Sequence, residues 1–238
     1  MNEHTMLVIL AHPDDESFPI GGTLAKYAAE GARVVLVSAT RGERGIPGLD
    51  AQLVGALRTR ELLRAAKTLG VTEVRFLGYC DGELSAIDSD EIQKKISELI
   101  HEIRPQVVIT FGPDGISGHP DHIAIHQAVT RAFEDARFSA CLYYIAPSEA
   151  TQQGCGIAPA PREMGRSVAA IDIAEHLLTK VRAAQCHTSQ HPPFSDSPEE
   201  EAARMACHEY FDLVHPHVEE ATYSDLFAPV LPAEVDVE

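Results

Sequence analysis

Basic charge is what this sequence has least of. Nineteen lysines and arginines stand against 36 aspartates and glutamates, a formal net charge of −17 over 238 residues. That balance argues against a nucleic-acid backbone or an anionic membrane surface as the main partner, although a local basic patch could still hold an anion. Long apolar runs are missing as well. None approaches the ~20 residues of a membrane span, and no basic region at the N-terminus leads into an apolar one. The five cysteines (Cys80, Cys141, Cys155, Cys186, Cys207) are an odd number without a CxxC pair. Such a set argues against a disulfide framework or a Cys-rich zinc site and fits reduced thiols. A soluble, cytoplasmic protein is the expectation. There is no internal repeat, no low-complexity tract and no convincing linker, so the length reads as one domain rather than two small ones. An apolar share of 45% is enough for a sizeable core.

What the sequence does have is one stretch that organises the rest, Ala11-His12-Pro13-Asp14-Asp15-Glu16. It follows Met6-Leu7-Val8-Ile9-Leu10, a short uncharged run of large aliphatics that predicts a strand buried on both faces of a parallel sheet. The polar cluster then sits at the strand's carboxyl end, the edge where open α/β folds bind ligands. An imidazole and three carboxylates packed together are costly to bury uncompensated, and a divalent metal would compensate them. A plain turn is the duller alternative, since Pro and Asp are common there.

Strands and helices alternate from this point. Thr23 to Glu30 has helical spacing and is followed by Gly31. Arg33 to Ala39 is a second strand, opening into the loop Thr40-Arg41-Gly42-Glu43-Arg44-Gly45. Ala51 to Leu69 is a long amphipathic helix closed by Gly70. Glu73 to Leu77 is a third strand, delivering Gly78-Tyr79-Cys80-Asp81-Gly82. Asp88 with Glu91 suggests a capping box for a helix whose stripe is Ile92, Ile96, Leu99, Ile100 and Ile103, stopped by Pro105. Gln106 to Thr110 is a fourth strand. Non-alternating strands separated by helices predict a Rossmann-like, doubly wound, mostly parallel sheet with helices on both faces. Leu142 to Ile145 and Val168 to Ile173 are further strands. The Gly- and Pro-rich Pro147 to Arg166 between them suggests a functional loop or a subunit contact, hence a homo-oligomer. Ala174 to Cys186 reads as a helix, Pro198 to Ala206 as a short helix, Glu209 to Val214 as a strand, and the tail from Ala228 as loose.

The fourth strand ends in a second polar cluster, Gly118-His119-Pro120-Asp121-His122, after which helical spacing resumes at Ile123. One His/Asp cluster at a strand end is a weak signal. Two at the same edge are a strong one, because side chains from neighbouring strands can converge there.

With both motifs in hand, the sequence resembles the PIG-L/LmbE-like zinc-dependent de-N-acetylases. AHPDDE at residues 11 to 16 and GHPDH at residues 118 to 122 are its specific markers. Thr40-Arg41-Gly42-Glu43, Leu57-Arg58 with Glu61-Leu62, Leu77-Gly78 to Asp81-Gly82, and His187 with Ser189-Gln190 are weaker ones. The resemblance covers a core of about residues 6–190, leaving 191–238 as a C-terminal extension of a single catalytic domain, 1–238. It implies one Zn2+ held by His12, Asp15 and His122, Asp14 as general base, His119 as electrophilic partner and Asp121 as the residue orienting His119. It further implies hydrolysis of an N-acetyl amide on a small N-acetylglucosamine-type conjugate, with neither nucleic acid nor membrane as partner. The residue chemistry agrees: two imidazoles, one carboxylate and a water make an open catalytic zinc site suited to amides.

The remaining polar residues carry weaker expectations. Arg41 and Arg58 could hold substrate hydroxyls or a phosphate, with a solvated helix face as the alternative for Arg58. Asp81 is either a turn residue or a sugar-hydroxyl acceptor. His187 could reach the mouth of the site or cap a helix. Glu16 is expected to support the ligands or to sit at a helix N-terminus. His126, one turn beyond His122, would close the site as a fourth protein ligand and is expected instead to support a ligand or pack in the core. Some members of the family carry a tyrosine two residues before the first histidine of the second motif, and here that position is Ser117. Two other readings stay open: a metal-dependent esterase or phosphoester hydrolase, and a sugar-binding module without catalysis.

Overall fold

The aliphatic run that precedes the first cluster forms the strand β1 (Thr5–Leu10), buried at every residue. In this computed structural model, which describes residues 4–136, 139–146, 167–190, 197–218 and 221–229, β1 lies inside an eight-stranded sheet. The other strands are β2 (Arg33–Ser38), β3 (Glu73–Phe76), β4 (Val107–Phe111), β5 (Cys141–Ile145), β6 (Ser167–Asp172), β7 (His208–His215) and β8 (Thr222–Tyr223). Their order is β3-β2-β1-β4-β5-β7-β6-β8. β3, β2, β1, β4 and β5 pair in parallel, while β7 runs antiparallel to both β5 and β6. The Rossmann-like, mostly parallel sheet expected from the sequence is therefore present. Chain order reverses between β1 and β4, which pair directly with Met6 opposite Val107 and Val8 opposite Ile109. Such a switch point opens a crevice at the carboxyl ends of its two strands. Both polar clusters begin there.

Helices α1 (Gly21–Ala29), α2 (Ala51–Leu69) and α6 (Leu177–Ala184) pack on one another, and α3 (Ser89–Ile103) packs on α5 (Pro120–Asp135). Complete burial of β1 requires cover on both faces of the sheet, and each fully buried aliphatic there contributes about 1.5–3 kcal/mol. α2 has the bounds its periodicity predicts: Asp50 caps it by accepting from Leu53 N, and Gly70 ends it at φ +78°. In α3, Asp88 accepts from Asp90 N, and Ile92, Ile96, Ile100 and Ile103 are buried. The reciprocal bond from Glu91 expected of a capping box does not appear among the hydrogen bonds at this end.

Two expectations change. The stretch read as one helix from Ala174 breaks into a 3₁₀ turn (Ala174–His176), started by Asp172 accepting from Ala174 N, and then α6. The segment read as an extension supplies β7, an interior strand of the sheet. From β7, Glu209 accepts from Gly22 N (3.0 Å) and Thr23 N (2.7 Å) at the start of α1, and Lys180 of α6 neutralises it at 2.6 Å. Residues 147–166, expected to form a functional loop, and most of the tail lie outside the described residues. Among the described residues no helix is long and apolar enough to cross a membrane.

Candidate metal centre and active site

The first motif folds back on itself as it leaves β1. Asp15 Oδ2 accepts from His12 N at 2.7 Å, and Ser17 N donates to Asp14 O at 2.9 Å. Asp14 is held at φ +111°, a conformation that costs a non-glycine residue about 1–3 kcal/mol and survives only where its surroundings impose it. The second motif begins after β4 with a turn at Gly115–Gly118 (α4), in which Gly115 has φ +62° and Ile116 φ +66°. A Cβ on Gly115 would stand 2.9 Å from the Cβ of His122, so glycine is required by contact as well as by conformation. His119 then caps α5, its Nδ1 accepting from Asp121 N at 3.2 Å, with Pro120 in the first turn.

The two motifs meet across the switch point. His12 Nδ1 lies 3.2 Å from His122 Nε2, Asp15 Oδ1 lies 3.3 Å from His122 Nε2, and Asp15 Oδ2 lies 3.6 Å from His12 Nδ1. For ligand bonds of about 2.0–2.1 Å, the edge of a tetrahedron is about 3.3–3.4 Å. The far side of each ring faces acceptors. His12 Nε2 sits 3.0 Å from Asp81 Oδ1 and 3.1 Å from Asp121 Oδ2, and His122 Nδ1 sits 2.9 Å from Gly115 O. Hydrogens on those outer nitrogens turn both inner lone pairs toward the carboxylate of Asp15. Two ring nitrogens and the two oxygens of one carboxylate, 3.2–3.6 Å apart, need a cation among them, or protons in its place. These residues therefore fit a metal. The titration directions report the same tension. Burial alone would lower His12, but hydrogen bonds to Asp121, Asp15 and Asp81 push it up to about 12. Burial opposes the charge on Asp15, yet His122 and His12 hold that carboxyl well below its usual range.

The structure brings His12, Asp14, Asp15, His119, Asp121, His122, Asp81 and Arg58 together, but several partners differ from expectation. Asp121 does not orient His119 with its carboxylate. It is 0% exposed and accepts from His12 Nε2, from Gly82 N (2.7 Å) and from Leu84 N (3.1 Å). The first turn of α5 aims it away from its sequence neighbour. His119 consequently is not held cationic: burial and then the charges on His12 and His122 lower it, outweighing Asp121 and Asp15. With Nδ1 accepting, the neutral tautomer keeps its hydrogen on Nε2 as a donor. A ring nitrogen of His119 lies within 4.8 Å of those of His12 and His122.

Asp81 is occupied by His12 and by Arg44 N (3.0 Å), so its carboxylate is engaged inside the site. Arg58 is 4% exposed. It donates to Gly42 O (3.1 Å) and Pro13 O (2.5 Å), and Nη2 lies 3.1 Å from Asp14 Oδ2. It braces Asp14 rather than lining the mouth. Gly42 and Gly45 leave the hollow it fills, where added Cβ atoms would come within 2.2 and 2.4 Å of Nη1. Burial first, and then repulsion from Asp15, raise Asp14 to about 7, with Arg58 pulling the other way. His187 is fully buried and bonds Glu16 at 2.7 Å, so it does not reach the mouth. Arg41 is exposed, bonded to Thr59 (2.9 Å) with its guanidinium over the Phe76 ring. His126 donates to Phe111 O (3.0 Å) through Nδ1 and packs edge-on against Tyr144. Ser117 is exposed. Sequence reasoning named Glu61 and Ser189 as separate markers but missed that they meet: Glu61 accepts from Thr188 Oγ1 (2.8 Å), Ser189 N (2.8 Å) and Ser189 Oγ (2.6 Å). No spacing could pair residues 61 and 189.

Comparison with known proteins identifies the motifs. The family described as PIG-L, GlcNAc-PI de-N-acetylase, matches residues 7–133. A 1D-myo-inositol 2-acetamido-2-deoxy-alpha-D-glucopyranoside deacetylase of Streptomyces scabiei is 44% identical over 154 residues, covering 54% of this chain and 48% of that protein. The chain thus spans about half the length of several curated relatives that it matches. The deacetylase of the same name from Mycobacteroides abscessus is 34% identical over 277 residues, covering 97% of this chain and 99% of its own. Among solved structures, N,N'-diacetylchitobiose deacetylase from Pyrococcus horikoshii superposes with a TM-score of 0.65 at 22% identity, over 90% of this chain and 84% of that one. GalB, a 4-carboxy-2-hydroxymuconate hydratase from Pseudomonas putida, superposes with 0.67 at 19%, over 91% and 98%. At those identities the structures show the fold alone. By its sequence match and by the relative aligned along almost its whole length, the chain belongs to the PIG-L de-N-acetylase family.

Proposed function

We propose that the chain hydrolyses the N-acetyl amide of a small N-acetylglucosamine-type conjugate, releasing acetate and a free amine, with one zinc held by His12, Asp15 and His122. The observation that carries this reading is the ligand triangle of residues, in which the two ring nitrogens lie 3.2 Å apart and each lies 3.3–3.6 Å from one oxygen of Asp15, with the outer ring nitrogens committed to acceptors. The metal, when bound, supplies Lewis acidity, lowering the pKa of water and polarising the acyl oxygen. Asp14 takes the proton of the attacking water, and its value near 7 suits a base working at neutral pH. His119, neutral and with its hydrogen on Nε2, donates to the oxygen that becomes charged as the tetrahedral centre forms. The departing nitrogen needs a proton, which Asp14 or His119 returns. Asp81 and Asp121 keep His12 in the tautomer that ligation needs.

The names of the relatives support an N-acetylglucosaminide joined to a polyol, and exposed Arg41 is the described side chain we assign to its outer part. The free thiols of Cys80, Cys141, Cys186 and Cys207 support a cytoplasmic location. The test is amine and acetate release by the zinc-loaded protein over a panel of N-acetyl sugars, with carboxylic and phosphate esters alongside. Amine release is expected, and Asp14→Asn should keep zinc while losing about 10²–10⁴ in turnover. Cleavage of esters but no amide would replace this reading with the esterase one, and an Asn variant of normal activity would remove Asp14 from its role.

A further inference from the structure

The general base is held in a backbone conformation that its own residue type disfavours, so something outside the motif must hold it. Its amide N donates to Glu16 Oε2 at 3.0 Å. Glu16 is 1% exposed, and a buried carboxylate persists only if donors satisfy it. Those donors are Ser17 Oγ and, at 2.7 Å, His187 Nε2. His187 is fully buried, and its other nitrogen, Nδ1, has no hydrogen-bond partner among the described residues. Its described polar contact is therefore spent on Glu16. The turn that follows it (Thr188–Gln190) is pinned to α2 through Glu61, and Arg58, one helical turn before Glu61, pairs with the Asp14 carboxylate. Two distant segments thus converge beneath one residue.

We propose that His187 is a positioning residue that acts through Glu16 on the backbone of Asp14, an inference that rests on Asp14 being the base. It touches neither substrate nor ligand. Without its donor, Glu16 is left buried and short of a hydrogen bond, and it turns to find another, releasing the Asp14 amide. Displacement of a catalytic group by about 1 Å can cost on the order of 10²-fold.

The experiment pairs His187→Phe, which keeps ring volume and removes the donor, with His187→Gln, which restores an N–H near the same place. Each is made in the wild type and in Asp14→Asn. In the wild type, His187→Phe is expected to lower kcat by about 10–100-fold with KM and zinc content held, and His187→Gln to recover most of it. In the Asp14→Asn background the same change should cost less than about twofold, because the residue it acts through is already disabled. The Asp14 amide resonance of the metal-free protein should move in the Phe variant and return in the Gln variant. Equal losses in both backgrounds, a loss confined to KM or zinc content, or an unmoved Asp14 amide would each overturn the proposal. Should His187→Phe fail to fold, Ser189→Ala loosens the same turn from Glu61 and should shift the same amide in milder form. A wild type that releases no amine would refute the reading of the reaction, whereas the amide resonance still decides whether His187 sets Asp14.

Discussion

Replacing Asp121 by Asn isolates the most heavily used carboxylate of the site. Oδ2 accepts from His12 Nε2 and Gly82 N, and Oδ1 accepts from Leu84 N, with no solvent at the residue. An amide in this place must turn its NH2 group toward one of those donors. Facing Leu84 it loses one bond, and facing His12 and Gly82 it loses two. Burying that mismatch costs about 1–3 kcal/mol of stability. If the amide oxygen stays on His12, the ring keeps its tautomer but has exchanged an anion for a dipole. Loss of a partner behind a metal-ligating histidine typically costs 10–100-fold in affinity, about 1.4–2.7 kcal/mol. Asp81 shares His12 Nε2, but its second bond goes to Arg44 N on an exposed loop residue, where water can substitute. Asp81→Asn should therefore fall at or below the tenfold end, and the double variant should lose less than the product because both act on one nitrogen. Competition against a chromophoric chelator measures the zinc affinity, and thermal melts of the metal-free proteins measure the stability cost. An Asp121→Asn protein that binds zinc like the wild type, when His12→Ala does not bind it, would refute the argument, as would a larger loss at Asp81.

Gly42→Ala should push the Arg58 guanidinium off Asp14, since its Cβ would lie 2.2 Å from Nη1 at a φ of +65°; turnover should fall with zinc retained, and normal turnover would show that Arg58 does not brace the base. Lys180→Met leaves Glu209 charged and buried, and denaturant unfolding should show a loss of about 3–5 kcal/mol. Adding Glu209→Gln should recover part of it, and a neutral single substitution would mean that the pair carries no stability. Chelation should lower the melting temperature: zinc at a hundredfold excess over its Kd contributes about 2.7 kcal/mol, or about 5–10 °C for a chain of this size. An unchanged melt after complete zinc removal would deny that the metal binds the folded chain.

Local pattern made much of this legible. The uncharged runs of β1 and β4 are buried on both faces, so their sequences carry no alternation and read as central parallel strands. α2 carries its own punctuation in Asp50 and Gly70. The two motifs announce their place because each follows such a strand. What was hidden is contact between distant residues. The resemblance pairs Asp121 with His119, a near neighbour in sequence, whereas its carboxylate reaches His12, 109 positions away. Asp81 and Arg58 read as possible substrate holders because nothing local reports that Gly42 and Gly45 open a hollow or that a strand end folds over His12. His187 bonds a residue 171 positions earlier. β7 alternates buried with half-buried residues, the pattern of a strand with one covered face, yet Glu209 within it reaches across to cap α1. The alternation names the strand and leaves its place in the order unspecified.

The same contacts decide how far the fold can speak for the reaction. A hydratase and a deacetylase superpose on this chain equally well, at TM-scores of 0.67 and 0.65, so the sheet and its crevice are compatible with more than one chemistry. What narrows the reading is the donor set at the switch point and the state in which it is held. Two ring nitrogens are turned inward because Asp81, Asp121 and Gly115 occupy their outer sides. Asp14 is clamped in an unfavourable conformation between Arg58 and Glu16. Each clamp spends buried charge and backbone strain that a binding crevice would not need. Their joint presence favours hydrolysis over sugar binding alone, and it ties activity to residues that a search confined to the two motifs would pass over.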